Sequence, residues 1–436
     1  MANNIKGEQE ILDKLGIEKL NPMQDESYPA IQNNSDIVLL SPTGTGKTLA
    51  FLLPIIDNLD SSDEEVQVLI LVPSRELAIQ INGVLREMGT GYKTNAVYGG
   101  RNFSKDKIEL SHTPAILVGT PGRIADHLRK DTFSTKSIKT LVLDEFDKSL
   151  EIGFESEMIE IIRALPAVEK RILTSATHAV EIPKFVGLSN PISINYLGEK
   201  KSQLQIKTVI SSNKDKLETL VELLCHIGNK PGIIFCNFKD TIQRVSDYLT
   251  ENHISHGCFY GGMEQKDRER ALIKFRNGTH QLIIATDLAA RGLDIPELGF
   301  ILHYQLPVHK EEFTHRNGRT ARMNAGGTAY ILQWEKEQVP DFIQDTEIEI
   351  LEKHSIPKPS KWATLFISGG RKDKISKGDI VGLFLKQGNI KKDELGNIEL
   401  KQDCAFIAVP KSTVNQLINE LNNSRLKKKK VRITTI

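Results

Sequence analysis

The chain has 436 residues, 39% of them hydrophobic and 26% charged, with four cysteines and a formal net charge of +1. That length exceeds what one core organises, so two to three domains are expected, and the composition excludes a collagen-like or disordered chain. Cys225, Cys236, Cys258 and Cys404 lack C-x-x-C spacing, which argues against a disulfide framework or a zinc site. The start has no apolar signal-peptide core and no run approaches transmembrane length, so a cytoplasmic protein with no membrane partner is expected. Residues 371–436 hold 15 Lys and Arg against 7 Asp and Glu, which leaves about −7 on the first 370 residues. A basic tail on a mildly acidic body suits a polyanion partner; a solvated lysine-rich terminus is the other reading of the same charge.

In chain order, an amphipathic opening (Ile11, Leu12, Leu15, Ile17) precedes an apolar strand over 37–40. A helix over 49–59 follows, then strands over 68–72, 115–118, 140–143 and 171–174 with helical patterns between them. This alternation predicts a parallel sheet covered by helices. The pattern breaks over 195–203 and restarts with a helix over 215–227, a strand over 232–236 and a helix over 240–251. Strands over 281–285, 300–304 and 328–332 complete a second α/β unit. Residues 354–370, with Pro357, Pro359 and Gly369-Gly370, read as a linker. Helices over 378–386 and 412–421 and strands over 397–400, 405–409 and 431–435 then form a compact α+β pattern. The expected domains are 1–197, 204–353 and, after the linker, 371–436.

The chemistry starts at Ser41-Pro42-Thr43-Gly44-Thr45-Gly46-Lys47-Thr48, directly after the first apolar strand. A buried strand running into a glycine-rich turn and then a helix is how proteins hold a triphosphate. Backbone N–H groups from Thr43 to Lys47 close around the phosphate oxygens, with the helix N-terminus behind them. Lys47 is placed to reach the β- and γ-phosphates, and the Thr48 hydroxyl to ligate Mg²⁺. Ser41 replaces the first glycine of G-x-x-x-x-G-K-[ST] and leaves the phosphate-cradling half intact. The second half of the chain has no such loop, so one nucleotide site serves two lobes. The strand over 140–143 ends in Asp144-Glu145, two carboxylates at the edge where ligands of open α/β sheets bind.

Taken together, these motifs and their order resemble the DEAD-box ATP-dependent RNA helicases, over residues 15–332. The resemblance implies two RecA-like lobes that bind ATP and RNA between them. Pro22-Met23-Gln24 resembles the Q motif, whose glutamine reads the adenine edge; an amide offers the donor and acceptor that edge requires. No aromatic residue precedes Tyr28 to stack on the base. Asp144-Glu145-Phe146-Asp147 stands where the family has Asp-Glu-Ala-Asp. The resemblance implies that Asp144 holds Mg²⁺ and that Glu145 orients and deprotonates the attacking water. It further implies that Asp147 ties this loop to Ser175-Ala176-Thr177, the motif linking hydrolysis to lobe movement. Phe146 in place of alanine is a departure.

Pro73-Ser74-Arg75-Glu76-Leu77-Ala78, Gly99-Gly100 and Thr120-Pro121-Gly122-Arg123 match the RNA-contacting segments of the family's first lobe. They imply contacts from Arg75, Gly100, Thr120 and Arg123. Such turns and helix starts suit phosphates rather than bases. In the second lobe, Ile233-Ile234-Phe235-Cys236-Asn237, Gln265-x-x-Arg268 and the run from Ala285 through Thr286 to Asp294 match further motifs. By that match Arg268 and Thr286 meet RNA and Asp294 meets the ribose. His315-Arg316-Asn317-Gly318-Arg319-Thr320-Ala321-Arg322 matches the last motif, with Arg319 and Arg322 as arginine fingers. Fingers are worth roughly 10³–10⁵ in rate in related NTPases. Since they lie on the other lobe, hydrolysis requires closure. Asn317 and Ala321 replace the usual aliphatic residue and glycine.

The tail segments Lys377-Gly378-Asp379-Ile380-Val381-Gly382, Gly396-Asn397-Ile398-Glu399 and Cys404-Ala405-Phe406-Ile407-Ala408-Val409 resemble the small RNA-binding domain of the bacterial DEAD-box protein A family. That domain is a variant of the RNA-recognition-motif fold and directs the family to ribosomal RNA. Only Phe406 stands near the place of the usual stacking aromatics, so recognition by lysines, with Lys427-Lys428-Lys429-Lys430 as the contact, is expected. The expected protein is an α/β chain of two tandem RecA-like domains plus a small α+β domain. It is a monomeric ATP-dependent RNA helicase using ATP and Mg²⁺, with single-stranded, duplex or ribosomal RNA as partner, in ribosome assembly or general RNA remodelling. An ATP-gated RNA clamp that unwinds little stays open on Phe146 and Ala321. Gln24 and the tail argue against a DNA translocase.

Overall fold

The computed structural model describes residues 5–42, 44–177, 182–198, 204–287, 298–320, 326–343 and 346–436. The chain divides in sequence between residues 202 and 203 into two compact units. In the first, α1 (Glu8–Leu15) and α2 (Pro22–Asn33) lead into β1 (Asp36–Leu40), α3 (Lys47–Asp57), β2 (Val68–Leu71), α4 (Arg75–Met88) and β3 (Thr94–Val97). Then come α5 (Phe103–Leu110), β4 (Ile116–Gly119), α6 (Pro121–Arg129), β5 (Thr140–Leu143), α7 (Phe146–Glu151), α8 (Glu155–Arg163), β6 (Lys170–Ser175) and β7 (Ile192–Asn195). The described strands form one parallel sheet in the order β3-β4-β2-β5-β6-β1-β7.

The apolar runs of these strands explain the layering. Successive side chains point to opposite faces, so a strand that is apolar throughout needs cover on both. Ile37 and Leu39 join Ile70, Val142 and Ile172 in one core, while Val38 joins Leu69, Leu71, Leu141 and Leu143 in the other. Helices supply both covers. On α4, Leu77, Ala78, Ile81, Leu85 and Met88 recur at helical spacing and are buried. Ser74 caps that helix by accepting from the Leu77 N–H at 3.2 Å, and Gly89 ends it in the left-handed region at φ 58°.

The second unit repeats the plan with β8 (Leu204–Ser211), α9 (Leu217–Ile227), β9 (Gly232–Phe235), α10 (Lys239–Glu251), β10 (Gly257–Phe259) and α11 (Gln265–Arg276). It continues with β11 (Leu282–Ala285), β12 (Phe300–His303), α12 (Lys310–Asn317), β13 (Gly327–Trp334) and β14 (Glu347–Ile348). The described strands again form a parallel sheet, in the order β10-β11-β9-β12-β13-β8-β14.

The tail comprises β15 (Trp362–Ile367), α13 (Lys377–Lys386), β16 (Ile398–Leu400), β17 (Ala405–Pro410), α14 (Val414–Leu421), β18 (Arg425–Leu426), β19 (Lys429–Lys430) and β20 (Ile433–Thr435). Its antiparallel sheet runs β16-β17-β15-β20, with β18 and β19 forming a separate basic ribbon. This corrects the linker expected over 354–370. Trp362-Ala363-Thr364-Leu365-Phe366-Ile367 is a central strand, with Leu365 and Ile367 fully buried in the tail core. The flanking prolines and glycines masked a period-2 alternation that only six residues carry.

The other face of that sheet rests on the end of α11. The Arg276 guanidinium donates twice to Glu399, at 2.6 and 3.0 Å, and Lys401 pairs with Glu269 at 2.9 Å. Asn277 donates to the Thr364 hydroxyl at 3.2 Å, Thr279 meets the same hydroxyl at 2.7 Å, and Ser360 donates to the Gly278 carbonyl. The tail and the second lobe are therefore joined by contacts as well as by chain. Among the described residues no helix is long and apolar enough to cross a membrane.

Candidate active site

The turn after β1 is shaped by its own polar groups. Ser41 is fully buried; its N–H donates to the Ser175 carbonyl at 3.1 Å and its hydroxyl meets that of Thr45 at 2.7 Å. Gly44 and Gly46 adopt φ 84° and 89°, a region that favours glycine. Lys47 and Thr48 open α3, whose first-turn N–H groups lack intrahelical acceptors. The Lys47 ammonium donates to the carbonyls of Ser41 and Pro42, the latter at 2.9 Å, so it lies folded over the loop.

The start of α2 holds this loop from outside. Asn21 caps the helix by accepting from the Gln24 N–H at 3.0 Å, while its own N–H donates to the Gln24 side-chain oxygen at 3.0 Å. The two side-chain amides then donate onward, Asn21 to the Thr45 carbonyl at 2.9 Å and Gln24 to the Gly46 carbonyl at 3.2 Å. A Cβ at Gly46 would stand 2.5 Å from the Gln24 nitrogen, so this approach requires glycine.

At the end of β5, Asp144 and Asp147 are buried at 4% and 1% exposure. The fully buried Thr174 hydroxyl donates to the Asp144 carboxylate and accepts from the Glu145 N–H at 3.1 Å. Thr177 donates to Asp147 at 3.0 Å, and Ser175 donates to the Thr177 carbonyl at 2.9 Å. Burial pushes the Asp144 carboxyl up, opposed by the Thr174 hydrogen bond and the Lys47 charge. Phe146, 3% exposed, turns into the core behind the loop and lines a cavity of about 90 Å³ with Leu40, Leu173, Thr174 and Ile182. The Thr48 hydroxyl and the Asp144 carboxylate are hard oxygen donors of the kind Mg²⁺ takes, and the loop's N–H groups suit phosphate.

Along the same lobe, the Arg75 guanidinium lies against Gly99 and Gly100, where a Cβ on Gly100 would come within 2.3 Å of it. Thr120 precedes α6, and Arg123 in its first turn donates to Asp106 at 2.8 Å and to the Arg101 carbonyl at 2.9 Å. Asp106, fully buried, also meets Arg101 at 3.3 Å and His127 at 3.4 Å. Burial alone would raise its carboxyl, but His127, Arg123 and Arg101 outweigh that and hold it below the usual carboxylate range.

In the second lobe Thr286 and Asp287 follow β11, and the Arg268 guanidinium sits 4.8 Å over the Phe259 ring. Arg316, 1% exposed, donates to Asp287 through Nε at 2.7 Å and through a second nitrogen. It also reaches Asn237 at 2.7 Å, the Gln305 carbonyl at 2.7 Å and His303 Nδ1 at 3.4 Å. Arg319 follows α12 at 4% exposure, its N–H donating to the Arg316 carbonyl at 3.1 Å. Thr43, Asp294 and Arg322 lie outside the described residues.

The DEAD/DEAH box helicase family matches residues 21–185, the helicase conserved C-terminal domain residues 215–324, and the DbpA RNA binding domain residues 364–435. The ATP-dependent RNA helicase DbpA of Escherichia coli (strain K12) is 33% identical over 97% of this chain and 95% of its own length. The DbpA of Bacillus subtilis (strain 168) is 30% identical over 97% and 96%. The chain belongs to the DEAD-box ATP-dependent RNA helicases. Among solved structures, S. cerevisiae Dbp5 bound to RNA and ADP BeF3 superposes with a TM-score of 0.67 at 26% identity, covering 76% of this chain and 88% of that one.

As a DEAD-box helicase the chain is an ATP-hydrolysing enzyme with two RecA-like lobes and an RNA-binding C-terminal domain. Four residues to which the sequence reading gave no role support motif residues within their own lobes: Asn21, Asp106, Thr174 and Arg316, the last named there only as part of its motif. Each is a partner of a motif residue. Only Asn21 had a local signal, an Asn three residues before a Gln at the start of a helix. Asp106, Thr174 and Arg316 act across the fold, where sequence spacing carries no information.

Proposed function

We propose that this DEAD-box helicase is an RNA-stimulated ATPase that separates short RNA duplexes by local strand distortion, acting on ribosomal RNA during ribosome assembly as a cytoplasmic monomer. The observation that carries this reading is the common anchoring of the phosphate loop and the carboxylate loop on the end of β6 and the residues just after it. Ser175 takes the Ser41 N–H, Thr174 takes Asp144 and Glu145, and Thr177 takes Asp147.

In this reading Gly44, Thr45, Gly46 and Lys47, with Thr43, bind the triphosphate of ATP and Gln24 selects adenine. Thr48 and Asp144 would hold Mg²⁺, which would supply charge neutralisation to the phosphates. Glu145 orients water and takes its proton. Arg319 and Arg322 stabilise the charge that develops as the phosphoryl group leaves, and Asp294 binds the ribose. Arg75, Gly100, Thr120 and Arg123 in the first lobe, and Arg268 and Thr286 in the second, hold strand phosphates. Asp147, Ser175 and Thr177 couple the two events. The tail match and the basic ribbon over 425–430 support ribosomal RNA as the target. Phe146 is buried in the core behind the loop and leaves the hydrogen bonds of Asp144 and Asp147 in place, which favours turnover over a static clamp.

The test is ATP hydrolysis without nucleic acid and with single-stranded RNA, ribosomal RNA and single-stranded DNA. RNA is expected to stimulate strongly and DNA weakly, and Glu145→Gln is expected to lower turnover by about 10²-fold or more. Equal stimulation by DNA would replace this reading with a translocase. Tight ATP-dependent RNA binding with negligible turnover would replace it with a clamp.

A further inference from the structure

Strand β6 lies between β5, which ends in the carboxylates, and β1, which ends in the phosphate loop. Its last two residues face both neighbours. The Ser175 carbonyl accepts the Ser41 N–H on one side, and on the other the Thr174 hydroxyl engages two consecutive residues, Asp144 through its carboxylate and Glu145 through its backbone N–H. That single hydroxyl uses its one proton and a lone pair at the same time, with the side chain fully buried. Glu145 has φ 48° and ψ 49°, so its backbone is held in the left-handed region at the residue whose carboxylate must meet water.

We infer that Thr174 is a positioning residue for ATP hydrolysis: its hydroxyl sets where the Asp144 carboxylate and the Glu145 main chain stand relative to the phosphate loop. The inference rests on the functional reading above and adds a residue to it. Thr174 is fully buried and acts through its neighbours. It acts by denying Glu145 the right-handed and extended conformations that would swing its carboxylate away, and by fixing one oxygen of Asp144. The second tether on the same loop, Thr177 to Asp147 at 3.0 Å, holds the far end, so freeing the near end affects the two carboxylates specifically.

Thr174→Val is nearly isosteric, keeps a β-branched residue in the strand, and removes both hydrogen bonds; Thr174→Ser keeps the hydroxyl. With saturating RNA, Thr174→Val is expected to lower kcat about tenfold or more while leaving the KM for ATP, and binding of a fluorescent methylanthraniloyl-ATP, within about twofold. Thr174→Ser is expected to recover most of kcat. A kcat for Thr174→Val within about twofold of the parent, or a Thr174→Ser variant as slow as Thr174→Val, would overturn the assignment, because the loss would then track packing. Amide hydrogen exchange at Glu145 gives a readout independent of turnover. Protection is expected in the parent and in Thr174→Ser and faster exchange in Thr174→Val, and equal exchange in all three would also overturn it. If the parent itself shows no RNA-stimulated hydrolysis, the functional reading fails, and the exchange result alone then decides the tether.

Discussion

At Glu145 the chain accepts a left-handed backbone that costs a non-glycine residue roughly 1–2 kcal/mol. The same residue is the N-cap of α7, and the Asp147 carboxylate two residues on is held by Thr177, so the surrounding bonds over-determine the turn. In the second lobe, His303 is an equally constrained side chain with the opposite electrostatics. Its imidazole is fully buried against Phe235 and Phe313; Nε2–H donates to Asn317 at 3.1 Å and Nδ1 faces Arg316 at 3.4 Å. Burial, then the Arg316 charge, push its pKa down to about 3. A histidine kept neutral in the fold but free to protonate when unfolded contributes stability that is complete above the unfolded pKa of about 6.5 and declines as pH falls towards the folded value. Denaturant melts of the full chain between pH 7 and pH 5 should therefore show falling stability, with a shallower slope for His303→Asn. An unchanged slope in that variant would assign the acid sensitivity elsewhere.

At the scale of elements, α2 does two tasks with one capping box. Asn21 satisfies the first turn of the helix and, through its amide, the Thr45 carbonyl of the phosphate loop. Replacing it by alanine is expected to cost about 1 kcal/mol. In a unit of this size that is a fall of about 2–4 °C in melting temperature, readable by calorimetry, together with weaker ATP binding. A melting shift with unchanged ATP affinity would show that the cap serves α2 alone. Much at this scale was legible from sequence. The central strands of both parallel sheets are uninterrupted apolar runs, and the phosphate loop follows one of them. The strands that were not read are short, mixed or at edges: Thr94–Val97 carries two polar residues in four, and Gly257–Phe259 has only three residues. Trp362–Ile367 was hidden between prolines and glycines. The motif residues themselves were legible because their order along the chain is specific. Their supports were not, since Thr174, Asp106 and Arg316 gain meaning only once distant strands and helices are side by side.

At the scale of the molecule, the tail sheet presents Thr364 and Glu399 to the end of α11, so the face that carries Phe366 and Phe406 is turned towards the second lobe's side of the tail. The basic ribbon lies elsewhere: Lys429 is anchored to Asp373 at 3.0 Å and Lys427 to Asp379 at 2.9 Å. Ser376 and then Lys427 hold the Asp379 carboxyl down at about 2, so that anchor persists through the physiological range. Reversing the charge in Arg276→Glu should loosen the tail and speed proteolytic cleavage in the exposed segment at 352–356 severalfold. Adding Glu399→Arg should restore slow cleavage, with a coupling of about 1 kcal/mol in the double-mutant cycle. Cleavage that ignores both substitutions would show that the remaining contacts at Asn277, Thr279 and Ser360 suffice.

The strand order of the first sheet has a consequence for synthesis. β1 is made early, yet its two neighbours, β6 and β7, are the last strands of the lobe to leave the ribosome. At about 5–20 residues per second, the emerging chain carries an apolar strand with both edges unpaired for many seconds, and the phosphate loop has no wall to lean on until Ser175 arrives. The second lobe repeats the arrangement, since β8 waits for β13 and β14. Each lobe therefore closes only when its final strands are complete. A message truncated just before either closing strand yields a chain with an open apolar edge, which makes it a substrate for chaperones and proteases rather than a weakened helicase.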